Sequence, residues 1–123
     1  MSYKITTIHK PTYTHFIVEG KNTAENTMKY LSDIYGECTA NNYKCILIEE
    51  RLEGKLLGTM DVYDIVSNAS QKALGFFKAI AYVDTNPDNI SMNFVETLAV
   101  NRALPVNTFQ TVDKAEKWLT SRR

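Results

Sequence analysis

Apolar and polar positions alternate at the start of the chain in a way that predicts two strands. Residues 3–10 and 12–19 are rich in Thr, Tyr, Ile, Val and Phe, which favour strands because branched and aromatic side chains pack well on a pleated surface. Lys10–Pro11 separates the two runs and is typical of a turn. The pattern predicts an opening β-hairpin whose second strand is buried on both faces at Phe16–Val18.

Helical spacing follows the hairpin. Thr23 is a suitable cap, and apolar residues then recur every three or four positions as far as Asn41. The continuous apolar run Cys45–Ile48 predicts a central strand covered by helices on both faces. We interpret the charged segment 49–58 as a loop, and we expect a second helix to start at Thr59.

The second half of the chain continues the alternation of strands and helices. Residues 76–83 predict a fourth strand, Asp84–Asp88 a helix start with proline near its first turn, and 105–109 a short fifth strand. Thr111 is expected to cap a last helix. The order β-β-α-β-α-β-α-β-α predicts the α/β class, with a mostly parallel five-stranded mixed sheet flanked by helices.

Composition narrows the classes of function. The 123 residues form one domain's worth of chain, and their 14 basic and 14 acidic side chains give zero net charge. Because nucleic-acid binders usually carry a basic excess, we expect no nucleic-acid partner. No apolar run approaches the ~18 residues of a membrane span, and Met1–Lys4 does not begin a signal peptide. We therefore expect a cytoplasmic protein.

Cysteines, histidines and short motifs give no indication of catalysis. Cys38 and Cys45 match no zinc or redox spacing, so we expect buried reduced thiols. A two-residue hairpin loop would place His15 opposite Thr6 rather than His9, which argues against a metal site. No nucleophile elbow, phosphate-binding glycine loop or zinc-protease motif occurs. The expectation is a non-enzyme without a cofactor.

The C-terminal part of the chain carries a family resemblance. The stretch Phe94–Val106, which includes an Asn-Arg pair, is followed by Phe109, Ala115 and Trp118–Leu119. These residues and the order of elements resemble the STAS fold, which is named for sulfate transporters and anti-sigma-factor antagonists. The resemblance is to its SpoIIAA-like branch, small bacterial domains that mostly lack an assigned function. The resemblance implies one STAS-like domain over residues 1–123, with a non-enzymatic regulatory or protein-interaction role and a protein partner or homodimer.

Gly58 and Thr59 are the main candidates for a ligand- or phosphate-binding site. In the resembled antagonists a Ser preceded by Asp is phosphorylated at the start of the helix after the third strand. Thr59 is the nearest hydroxyl here and no Asp precedes it, while Asp61 follows closely. A helix start after a central strand also suits an anion. The alternative interpretation is that Thr59 is a structural N-cap, worth about 1 kcal/mol.

Two further candidates lie at the ends of predicted elements. Asp84, at the end of the fourth strand, can approach the same pocket or serve the Asp-Thr-Asn-Pro turn. Arg102, at the end of the third helix, can contact a partner or balance the helix dipole. A third group of charged residues is interpreted as solvated loop. Its members are Glu49, Glu50, Arg51 and Glu53.

Two alternative functions remain at this stage. The first is a module for a small apolar or lipid-like ligand, supported by apolar helix faces and by Met28, Met60 and Met92, since methionine adapts to irregular space. The second is an enzyme with an unrecognised site, which requires titratable groups to converge in one pocket. Convergence of Glu50, Thr59 and Asp84 would be needed.

Overall fold

The structure is a computed structural model, which describes residues 3–54, 58–73, 75–84 and 105–121. In these ranges the chain forms five strands and three helices. In chain order they are β1 (Tyr3–His9), β2 (Thr14–Lys21), α1 (Ala24–Asn41), β3 (Cys45–Glu53), α2 (Thr59–Ala73), β4 (Ala79–Asp84), β5 (Val106–Phe109) and α3 (Val112–Thr120).

The strands form a single sheet in the order β1-β2-β3-β4-β5. β1 and β2 are antiparallel, and every other neighbouring pair is parallel. The predicted fold class, a mostly parallel five-stranded mixed sheet with one antiparallel hairpin, is confirmed. The predicted third helix, Arg102 and most of the signature stretch, 94–104, lie outside the described residues. Among the described helices, none is long and apolar enough to cross a membrane.

The sheet is covered on both faces, as predicted for a central β3. On the face of α1 the buried residues are Phe16, Val18, Tyr30, Ile34, Cys38, Ile46, Ile48 and Ile80. On the face of α3 they are Tyr13, Leu47, Ala79, Ala81, Val83, Ala115 and Leu119. Both cysteines are free thiols, Cys38 buried and Cys45 partly buried, and burial raises the pKa of the Cys38 thiol to about 12.

The hairpin register differs from the sequence prediction. Four residues, 10–13, connect the strands, and the Lys10 N–H donates to the Tyr13 carbonyl at 3.0 Å. His9 therefore pairs with Thr14. The prediction that His15 lies opposite Thr6 was wrong, because it assumed a two-residue loop.

The charged segment after Ile48 is also not what the sequence predicted. β3 continues to Glu53, so the interpretation of residues 49–53 as a loop was wrong. Backbone pairing explains the difference, since Glu49 lies beside Ile17 on β2 and beside Val83 on β4. A strand paired on both sides keeps its ladder whatever its side chains are, provided that buried charges find partners.

The helix starts are set by local chemistry and agree with the sequence. The Thr23 hydroxyl accepts a hydrogen bond from the Asn26 N–H at 3.1 Å, and α1 ends at Asn42 in the left-handed conformation with φ 60°. The Thr111 hydroxyl likewise accepts from the Lys114 N–H at 3.2 Å. Both caps satisfy N–H groups that a helix start leaves without a partner.

The Thr23 cap leads to a first prediction. We expect Thr23→Ala to lower the free energy of unfolding by about 1 kcal/mol, because the Asn26 N–H loses its acceptor. Thr23→Ser retains the hydroxyl and is expected to retain most of the stability. Urea denaturation of the two variants measures the difference, and equal losses would show that the hydroxyl does not act as a cap.

Candidate functional site

The carboxyl ends of β3 and β4 lie side by side, where ligands gather in open α/β sheets. Glu50 on β3 is the parallel neighbour of Asp84, the last residue of β4. The side chains interact, since Asp84 contributes to the electrostatic surroundings of the Glu50 carboxyl. The structure thus brings together two of the three groups required by the enzyme alternative. The Thr59 side chain lies outside the described residues.

Glu50 is the centre of a triangle of oxygen atoms. The hydroxyls of Tyr30 and Tyr82 both donate to its Oε2, Tyr82 at 2.6 Å. The two hydroxyls also approach each other at 2.7 Å. Tyr30 reaches the site from α1 and is fully buried, while Tyr82 extends from β4. Three segments of chain therefore meet at one carboxyl group. We call the side chains of Tyr30, Glu50 and Tyr82 the Glu50 triangle.

Burial and the phenols act on the pKa of Glu50 in opposite directions. Desolvation raises this pKa to about 7, and the nearby Asp84 adds to the rise, whereas the hydrogen bonds donated by Tyr30 and Tyr82 favour the ionised carboxylate and lower it. Burial, followed by the charge of Glu50, raises the pKa of both tyrosines well above the ordinary value.

Glu49 faces the other side of the sheet and has separate partners. Its Oε1 lies 2.9 Å from His15 Nε2, and its Oε2 accepts from Arg51 Nε at 2.8 Å. Glu49 and His15 are only 5% and 6% exposed, so the interaction between them is buried. The sequence interpretation of Glu49 as part of a solvated loop was wrong.

Gly58 and Thr59 lie at the start of α2. The Gly58 carbonyl accepts the first helical hydrogen bond, from the Val62 N–H at 3.1 Å, which places Gly58 at the cap position and Thr59 at the first helical position. Gly58 is exposed. A binding or regulatory role for these two residues stays a prediction.

The chemistry available to these groups is limited. The phenols of the Glu50 triangle satisfy one oxygen of its carboxyl group, and Arg51 and His15 satisfy both oxygens of Glu49. Within the described parts of the chain, no group of three or more His, Cys, Asp or Glu side chains could hold a metal ion. The described contacts of both carboxyl groups are therefore with other protein groups.

Comparisons with known structures identify the fold. No protein-family model matches the chain, and no curated protein matches it. A crystal structure of an anti-sigma factor antagonist from Mycobacterium paratuberculosis superposes with a TM-score of 0.63 at 16% identity, over 97% of this chain and 95% of that chain. The NMR structure of the protein TM1081 aligns less well, with a TM-score of 0.47 at 15% identity over 93% and 86% of the two chains. The chain has the STAS fold of the antagonist.

Proposed function

We propose that the chain is a non-enzymatic regulatory domain that binds a protein partner through the first turns of α2. The observation that carries the proposal is an exposed apolar pair, Met60 and Tyr63, with exposed fractions of 73% and 44%. Residues three positions apart lie on one face of a helix. By contrast, four tyrosines outside α2 are buried or half-buried, namely Tyr13, Tyr30, Tyr35 and Tyr43.

The surroundings of the pair indicate the character of the partner. Asp61 and Asp64 are exposed on the same two turns. A partner that buries Met60 and Tyr63 would therefore meet two carboxylates at the edge of the contact, which suits an apolar patch bordered by basic side chains. The fold supports a protein-binding role, since the structural neighbour is described as an anti-sigma factor antagonist.

Thr59 gives this surface a means of regulation. It directly precedes Met60 at the start of α2. A phosphate on Thr59 would interact favourably with the free N–H groups of the helix start, and it would place charge beside the apolar pair that the partner must bury. Intact-mass measurement of protein from the native cell tests this step. The cytoplasmic location and the candidate partner contact Arg102 stay predictions, and no contact of the described residues favours a small apolar ligand.

The partner surface is tested by a charge substitution. We expect Met60→Glu to reduce the capture of a specific partner from native cell extract at least about tenfold, because the partner would have to desolvate a carboxylate. Folding is expected to be unaffected, since an acidic side chain is favourable in the first turn of a helix. Quantitative mass spectrometry of the captured proteins measures the change.

Ser32→Glu provides the matched control. Ser32 is exposed on α1, so the substitution adds the same charge away from the proposed surface. Capture of one protein by the wild type and by Ser32→Glu, with its loss from Met60→Glu, supports the proposal. If every captured protein is retained by Met60→Glu, this surface is not the binding site.

A further inference from the structure

The amino ends of the strands, opposite the Glu50 triangle, surround an open depression of about 420 Å³. Three connections form it, namely the β1–β2 turn, the α1–β3 connection and the segment before β4. Its volume lies within the range of small-molecule sites, roughly 300–1,000 Å³. The lining residues are His9, Lys10, Pro11, Thr12, Tyr13, Thr14, Asn42, Tyr43, Lys44, Cys45 and Lys78.

The depression is positively charged in a protein whose net charge is zero. Lys10, Lys44 and Lys78 line it, and none of the described residues that line it is an Asp or a Glu. Among the described residues, none of the three ammonium groups forms an ion pair with a carboxylate. The acidic residues of β3 and β4, Glu49, Glu50 and Asp84, lie at the other end of the sheet. The three positive charges are therefore not neutralised locally, and an anion would relieve their mutual repulsion.

Two contacts hold the basic residues in place. The Lys78 N–H donates to the Lys44 carbonyl at 2.9 Å, which fixes the two lysine-bearing segments against each other. The Lys44 ammonium lies 3.7 Å from the centre of the Phe76 ring, so a cation–π contact restrains the side chain without removing its charge. The two segments are thus held together through their backbone, and among the three lysines the Lys44 side chain is restrained.

The rim adds a second type of contact. The rings of His9 and Tyr43 lie 5.7 Å apart, and the Tyr43 hydroxyl is 3.4 Å from His9 Nδ1. With the Thr12 hydroxyl and the Asn42 amide, they place hydrogen-bonding groups beside the lysines. Compact ammonium charges together with hydroxyl and amide groups are typical of protein contacts to phosphate oxygens.

We propose that this depression binds a phosphate group with more than one negative charge. The shared chemistry is a phosphate held by Lys10, Lys44 and Lys78, carried either by a free phosphorylated small molecule or by a phospholipid headgroup. The site is separate from the partner surface on α2, which begins at the carboxyl end of β3, so this inference does not depend on the proposed function.

The test titrates inorganic pyrophosphate into ¹⁵N-labelled protein and follows the backbone amide signals. We expect saturable shifts in the segment 42–45 and at Lys78, weakening as salt is added. Substitution of Lys10, Lys44 and Lys78 by Gln is expected to weaken binding at least about tenfold. A parallel flotation assay uses vesicles that contain phosphatidic acid, whose phosphomonoester carries more than one negative charge near neutral pH, with phosphatidylcholine vesicles as the comparison without net charge.

The matched control replaces three exposed lysines elsewhere, Lys4, Lys21 and Lys114, by Gln and so changes the net charge equally. Loss of pyrophosphate binding in the site variant alone supports a site for a free phosphorylated molecule. Selective loss of binding to phosphatidic acid vesicles supports a headgroup site. Equal loss in both variants, or no saturable binding of either probe to the wild type, overturns the proposal.

Discussion

Replacing Glu50 by Gln is expected to remove most of the pH dependence of stability between about pH 5 and about pH 8. The pKa of Glu50 is raised to about 7 in the folded protein, from an ordinary value of 4.5. The folded state therefore holds the proton more tightly than the unfolded state. It follows that the free energy of unfolding falls as the pH rises from 4.5 to 7, and that the loss is complete above 7.

The size of the effect follows from the same two values. Each tenfold difference in proton affinity is worth about 1.4 kcal/mol, so a rise from 4.5 to about 7 corresponds to about 3 kcal/mol. Gln has nearly the shape of Glu and keeps an oxygen that can accept from Tyr30 and Tyr82, but it does not ionise. We expect Glu50→Gln to be more stable than the wild type above about pH 7, by an amount of this order.

Urea denaturation across the pH range measures the effect. Glu53→Gln is the control, because Glu53 lies on the same strand and is exposed, and its profile is expected to follow that of the wild type. Parallel profiles for the wild type and Glu50→Gln would show that folding does not change the pKa of Glu50, which contradicts the prediction.

The second large effect is expected on the opposite face of β3. Glu49→Ala removes the carboxylate that both His15 and Arg51 contact, and His15 is left buried with its Nε2 unpaired. Breaking a buried pair from one side costs about 3 kcal/mol or more, since the remaining polar group has lost both water and its partner. Thermal and urea denaturation measure the loss, and Glu53→Ala is the exposed control.

A double variant separates pairing from simple loss of contacts. In His15→Leu/Glu49→Leu both polar groups are replaced by apolar ones, so no buried group is left unpaired. We expect the double variant to be more stable than Glu49→Ala, because the two substitutions are coupled rather than additive. If Glu49→Ala is no less stable than Glu53→Ala, the interaction with His15 contributes nothing to folding.

Features that depend on neighbouring residues were predictable from the sequence. The caps at Thr23 and Thr111, the end of α1 at Asn42 and the start of α2 at Thr59 all follow from side chains within a few positions of the helix ends. The apolar run Cys45–Ile48 correctly indicated a strand covered on both faces. Such signals are local, so reading along the chain is sufficient to find them.

The candidate site depends on contacts between distant residues, which the sequence does not show. Tyr30 and Tyr82 are separated from Glu50 by 20 and 32 positions, and His15 from Glu49 by 34. Without those partners, consecutive charges after Ile48 resemble a loop. Glu50 and Asp84 lie side by side because the carboxyl ends of parallel strands meet at one edge of the sheet. A ligand site that Asp84 shares with Gly58 and Thr59 stays a prediction.

The arrangement of Glu49 and Glu50 makes the length of β3 more constrained than its composition. Successive side chains of a strand point to opposite faces, so deleting one residue between Cys45 and Glu49 would turn every later side chain to the other side. Each glutamate side chain would then point to the opposite face of the sheet. Glu49 would face the tyrosine hydroxyls, and Glu50 would face His15. A substitution in this part of β3 changes only the contacts of one side chain. An insertion or deletion instead exchanges the surroundings of Glu49 and Glu50 together. Variation in this segment should therefore occur in the identity of its residues and not in their number.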